Sequence, residues 1–126
     1  MSDLTSAVRR VMVLMMMADR RILTSEIDMM SDVYERLFGE PLSRADIDAE
    51  MDSVEADRPT LDEFLAQAAQ DFDEDERETI LKAAACVSIA DRALHRDEKI
   101  LLIRVGTRLR LGPERISGLI SGLRDA

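Results

Sequence analysis

Ala18-Asp19-Arg20-Arg21-Ile22-Leu23-Thr24-Ser25-Glu26 returns as Ala90-Asp91-Arg92-Ala93-Leu94-His95-Arg96-Asp97-Glu98, with Ala, Asp, Arg, an aliphatic residue and Glu in register. The chain therefore carries an internal duplication. An apolar stretch leads into each copy, Val11 to Met17 and Ala83 to Ile89, and an amphipathic stretch leads out through Met29-Met30 or Leu101-Leu102. A repeat of this kind describes supersecondary units that bury their faces against each other. Each copy sets one acidic residue at the end of a helix and another at the start of the next, so two such corners are able to bring carboxylates together.

Working outward from the first copy, Leu4, Val8, Val11, Met15 and Ala18 alternate spacings of four and three and mark one helix face. Met12, Leu14, Met16 and Met17 make the second half of that helix apolar all round, which places it at the centre of a domain. The stretch through Ile80, Leu81, the alanines, Val87 and Ile89 to Ala90 is its expected packing partner. Ile27, Met30, Val33, Tyr34, Leu37 and Phe38 mark a second helix, which stops at Gly39 and Pro41. Ser43 is placed to cap a third, with Ile47, Met51 and Val54 inward; Thr60 and Glu63 form the capping-box pattern of a fourth, with Leu61, Phe64, Leu65 and Ala68 apolar. Asp73 to Glu76 opens the fifth. The sixth carries Ile100, Leu101, Ile103, Val105 and Leu109, and Gly112-Pro113 closes it and opens a seventh that buries Ile116, Leu119, Ile120 and Leu123. Gly118 and Gly122, four apart on that last helix, permit a close helix contact.

The expected architecture is all-α, one compact domain over residues 1–126 with about seven helices, since the length suits a single domain able to bury a real core. Hydrophobic residues at 46%, charged residues at 34% and aromatics at only 3% fit a helical protein better than a sheet or a disordered chain. Residues 40–78 hold 15 acids against Arg44, Arg58 and Arg77, a local balance of -12 within a net charge of -9. The carboxylates of residues 46–57 and 71–78 are expected to stay exposed and mutually repelling. From residue 96 onward seven Lys or Arg face four acids. An acidic chain without aromatic platforms argues against nucleic-acid partners. Cys86 stands alone, which excludes an internal disulfide and fits a reducing, cytoplasmic compartment; among alanines it reads as a small core residue. The Met-rich run after Arg9-Arg10 lacks the flanks of an export leader, and no stretch approaches the roughly 20 apolar residues of a spanning helix, so no direct membrane insertion is expected.

The two Ala-Asp corners, each following an apolar helix and followed by an aliphatic residue and a Glu, resemble the TerB-like family over nearly the whole chain. That family includes the N-terminal helical domain of the co-chaperone DjlA. The resemblance implies a bundle of helices in two pseudo-twofold related halves, no enzymatic activity, and a divalent cation such as Ca²⁺ or Mg²⁺ at acidic residues of the corners, here Asp19, Glu26, Asp91 and Glu98. It also implies a stress or metal-resistance setting. The departure is at the residue after each Asp, where the family commonly has Gly, suited to a left-handed turn, and this chain has Arg20 and Arg92.

Two readings of the corners stand side by side. Asp19 and Asp91 end helices, where exposed carbonyls already make the potential negative, so positive charge is expected nearby. A hard cation would supply it, joined by Glu26 and Glu98 from the following helices. Arg20, Arg21, Arg92 and Arg96 would supply it equally, leaving Glu26, Asp97 and Glu98 to complement helix N-termini. Other candidates are weaker. His95 falls where an N-cap is expected; Asp46, Asp48, Glu50 and Asp52 lack the Gly and terminal Glu of a calcium loop and read as a solvated helix face. The methionines at 12, 15, 16, 17, 29 and 30 have the spacing of core filler.

With one His and one Cys on different elements, no nucleophile, base and orienting group converge in the sequence. The leading expectation is a cytosolic binding module, responsive to a divalent cation through its corners and acting through a protein partner or self-association. The alternative is a metal-free adaptor domain of the DjlA N-terminal type. A metal module needs Asp19, Glu26, Asp91 and Glu98 to converge, whereas an adaptor needs an exposed apolar patch.

Overall fold

The computed structural model of the protein describes residues 4–18, 24–57, 60–88 and 96–124. These form seven α-helices: α1 (Leu4–Ala18), α2 (Thr24–Phe38), α3 (Arg44–Asp57), α4 (Leu61–Asp71), α5 (Glu74–Ser88), α6 (Arg96–Arg108) and α7 (Pro113–Arg124). Among the described residues there is no strand.

The most extensive interhelical contact is between α1 and α5, and around this pair α1 also meets α2, α3 and α4 while α5 meets α2, α6 and α7. The sequence reason is the lack of a polar face. Every residue from Val11 to Met16 is buried, as are Ile80, Leu81 and Ala83 to Ala85 on α5. A helix buried all round needs neighbours all round, and these two have them. Met12, Met15, Met16 and Met30 sit in this core, where their unbranched side chains fill irregular gaps. Each half pairs an apolar helix with the amphipathic one that follows it, α1 with α2 and α5 with α6. The surroundings of the two pairs differ, because α2 also packs on α5 whereas α6 packs on α4 and α7.

The caps written in the sequence are made. The Ser43 Oγ accepts from the Asp46 amide at 3.1 Å while Asp46 Oδ2 accepts from the Ser43 amide at 3.1 Å. Those hydrogen bonds, backbone first, hold the Asp46 carboxyl below its ordinary range. Asp73 and Glu76 repeat the reciprocal arrangement at 2.9 and 3.1 Å, and Thr60 Oγ1 accepts from the Glu63 amide at 3.1 Å. Gly39, at φ +70°, ends α2 and donates back to the Glu35 carbonyl at 2.8 Å.

The end of α6 departs from expectation. Arg110, not a glycine, takes the left-handed position at φ 61°, its amide reaching Thr107 O at 3.0 Å and the Leu111 amide reaching Gly106 O at 3.1 Å. This is the two-bond Schellman termination, which ordinarily selects Gly. It forms here because Leu111 is buried and because Arg77 of α5 donates through Nη1 to the Leu109 carbonyl at 2.9 Å, setting positive charge against the helix end. Gly112 then serves the start of α7, accepting from Arg115 and Ile116. Arg110→Gly relieves a left-handed L-residue and is expected to raise stability by roughly 0.5–1 kcal/mol. A denaturation midpoint that falls instead would show that the Arg110 side chain contributes more than its backbone costs.

The acidic middle is exposed as expected at Asp46, Asp48, Asp52, Glu55, Asp71 and Asp73, but repulsion is not its whole character. Glu50 is mostly buried against Arg10, at 3.1 Å. Arg115 of α7 reaches Glu74 at 2.8 Å and Glu78 at 2.6 Å, and Asp62 of α4 accepts from Arg104 and lies 3.7 Å from Arg108 on α6. The basic C-terminal helices thus lie against the acidic ones, which corrects the expectation of carboxylates that only repel.

Candidate functional site

Of the four carboxylates assigned to the corners, Asp19 and Asp91 lie outside the described residues, together with Arg20, Arg92 and His95. Glu26 and Glu98 each occupy the third position of their helix, α2 and α6, so the repeat keeps its register into the fold. Their side chains also lie outside the described residues. Among the described residues no group of three or more His, Cys, Asp or Glu is placed to hold a metal ion. The Asp46, Asp48, Glu50, Asp52 segment is helical throughout; Asp46, Asp48 and Asp52 are solvated, whereas Glu50 turns to Arg10.

Three of the clefts on the described surface bear on a binding site. The first, between α1, α3 and α4, has a polar rim: Arg10 Nε donates to Glu50 Oε2 at 3.1 Å and Arg10 Nη2 to Ser53 Oγ at 2.8 Å, with Gln67 and Asp71 opposite and Phe64 and Phe72 beneath. The Arg10 guanidinium is committed to its own partners, so this rim locks α1 to α3. The second lies between α5 and α7 and includes Lys82, Cys86, Gly118 and Gly122. Cys86 is half-buried, and desolvation pushes its thiol up despite the nearby Arg36 and Lys82, which disfavours the reactive thiolate at neutral pH. A Cβ on Gly118 or Gly122 would meet nothing within 4 Å, so the close helix contact that their spacing permits is not made there. The contact falls at Gly106, where a Cβ would stand 2.6 Å from Ile116 Cγ1.

The third cleft, about 230 Å³, runs between α6 and α7. Lys99, Ile103 and Thr107 succeed one another along α6, and Ile116, Ser117, Ile120 and Ser121 along α7. Beside it stands Ile100, 55% exposed, and Ile103 itself is 43% exposed. Both are among the apolar residues that mark this helix in the sequence, where nothing assigns them a side. The helix buries Leu102, Val105 and Leu109. A signal was present in the sequence: Ile100-Leu101-Leu102-Ile103 spans the whole circumference of a helix, and α6, unlike α1 and α5, is not wrapped on all sides. Two large apolar side chains exposed one helical turn apart are a liability unless they meet something.

No curated protein and no solved structure matches the chain. The family model described as tellurite resistance protein TerB matches residues 5–119, a span that takes in both corners, nearly all of the α1–α5 pair and the α6–α7 cleft except Ile120 and Ser121. The chain belongs to the TerB family.

Proposed function

We propose that this chain is a TerB-family binding module that works by holding a protein partner rather than by catalysis, with the α6–α7 surface as its contact face. The observation that carries this reading is the pair Ile100 and Ile103, large apolar residues exposed together beside an apolar cleft on a chain that is otherwise acidic. The single cysteine and the family's tellurite-resistance description support a cytoplasmic, stress-related setting. A photo-crosslinking amino acid at position 100, expressed in cells, is expected to give discrete adducts with another protein, while the same group at Asp48 on the solvated face of α3 gives none. Adducts of equal yield from both positions, or none from position 100, would contradict the reading.

The corners add a second binding element. Asp19, Glu26, Asp91 and Glu98 take a divalent cation, Ca²⁺ or Mg²⁺, with Arg20 and Arg92 competing for the same carboxylates through charge-assisted hydrogen bonds. The in-register repeat of the four acids supports it. Chelator-treated protein is expected to bind either ion weakly in calorimetric titration, and the Arg20→Gly, Arg92→Gly double variant more tightly, with Tm rising with ion concentration by mass action. Micromolar binding by the unmodified chain, with no gain in the double variant, would remove the arginines from the account; unchanged binding in Asp19→Asn, Asp91→Asn would remove the corners.

A further inference from the structure

We propose that the α6–α7 cleft receives an acidic amphipathic helix of a partner protein, about two turns of which lie in the groove. This rests on the protein-partner reading above and adds the chemistry of the partner.

The dimensions come first. Lys99 and Thr107 stand eight positions apart on α6, about 12 Å of helix axis at 1.5 Å per residue, which matches two turns of a guest helix bearing apolar residues at spacings of three and four. The walls come second. Ile103, Ile116 and Ile120 give the groove an apolar floor, Ile100 is exposed one helical turn before Ile103, and the Thr107 hydroxyl is spent on the Ile103 carbonyl at 2.8 Å, which keeps that wall apolar. Ile116 and Ile120 are already buried against the core, so the floor is held rigidly.

Charge selects the occupant. Among the described residues lining the cleft the only charged group is Lys99, and no carboxylate lines it, in a protein of net charge -9. A guest with acidic flanks meets an opposite charge there, while a basic guest meets the same sign and is drawn to the acidic faces of α3 and α5 instead. A second copy of this chain fits poorly. Apart from Ile100 and Ile103 themselves, the only exposed large apolar side chain among the described residues is Leu37, a single residue and not a two-turn stripe, so the chain offers no described helix face of the kind the groove would receive. The occupant favoured by these observations is therefore another protein's helix with apolar anchors and Glu or Asp beside them.

The test uses two synthetic helices of about four turns, identical in their Leu anchors, one flanked by Glu and the other by Lys, titrated into isotope-labelled full-length protein and followed by amide chemical shifts. The Glu peptide is expected to shift Lys99, Ile103, Thr107, Ile116 and Ile120 selectively and to bind at least about tenfold more tightly than the Lys peptide. Ile103→Glu should abolish those shifts, and Lys99→Glu should reverse the peptide preference, both with an unchanged circular dichroism spectrum. Equal affinity for the two peptides, shifts centred elsewhere, no shift up to about 1 mM peptide, or a dimer in sedimentation that Ile103→Glu dissociates would overturn the proposal. If the peptides fail while position 100 still crosslinks to a protein, the acidic-helix assignment falls and the protein-partner reading stands; failure of both removes both.

Discussion

Leu81→Ala is expected to destabilise the protein by about 3–5 kcal/mol, the upper part of the range for a buried leucine. Leu81 is fully buried on α5, the helix that meets α1, α2, α6 and α7, and it is followed by Ala83, Ala84 and Ala85, which are already as small as they can be. Neither the alanines nor the tightly placed Gly106 can move in to fill the space, so the cavity stays open and its cost adds to the lost transfer energy of the side chain. Leu37→Ala, at an exposed position on α2, serves as the control and should change stability by less than about 0.5 kcal/mol. Chemical denaturation of the two variants gives the comparison directly. Similar midpoints for both would mean that α5 is not the centre of the core.

Gly106→Ala should also destabilise, by about 1–3 kcal/mol, although it puts the best helix former where Gly is worth roughly 1 kcal/mol less in a helix interior. The added methyl would stand 2.6 Å from Ile116 Cγ1, 2.7 Å from Ile116 Cδ1 and 3.2 Å from Leu81 Cδ2. Ile116 is buried, so it cannot swing clear, and α7 must lift from α6 to make room. The conflict is specific to one partner side chain. In the Ile116→Ala background Gly106→Ala should cost much less or stabilise, giving a coupling energy of about 1 kcal/mol or more in the double-mutant cycle. Additive effects would place the tight contact elsewhere.

Much of the fold was legible because it is written in local patterns. The all-apolar halves of α1 and α5, the Ser43 and Asp73 caps and the Gly39 stop each depend on residues within a few positions of one another. What was not legible depends on which helix lies beside which. Ile100-Leu101-Leu102-Ile103 has no polar gap to mark its outer side, so only the packing of α6 on α4, α5 and α7 decides that Leu102 turns inward and Ile100 and Ile103 outward. The ion pairs Arg10–Glu50, Arg104–Asp62 and Arg115–Glu78 join residues 40, 42 and 37 positions apart, beyond the reach of any helix-face argument. Gly118 and Gly122 carried the spacing of a close contact and Gly106 did not, yet the crossing of α6 and α7 falls at Gly106. Of the candidate site, the register of Glu26 and Glu98 carried through, while Asp19 and Asp91 lie outside the described residues. The proposed contact face is marked in the sequence by the unbroken apolar run Ile100-Leu101-Leu102-Ile103 on α6.

The assignment of that face is tested most directly by the yield of the protein adduct from a photo-crosslinker at position 100 when Ile103 is replaced by Glu. Ile103 is 43% exposed, so the charge should leave thermal unfolding unchanged while removing an apolar anchor from the contact. The expected result is a loss of roughly tenfold or more in adduct, the effect of an anchor worth about 1.4 kcal/mol or above. An undiminished yield, with the fold intact, would contradict it.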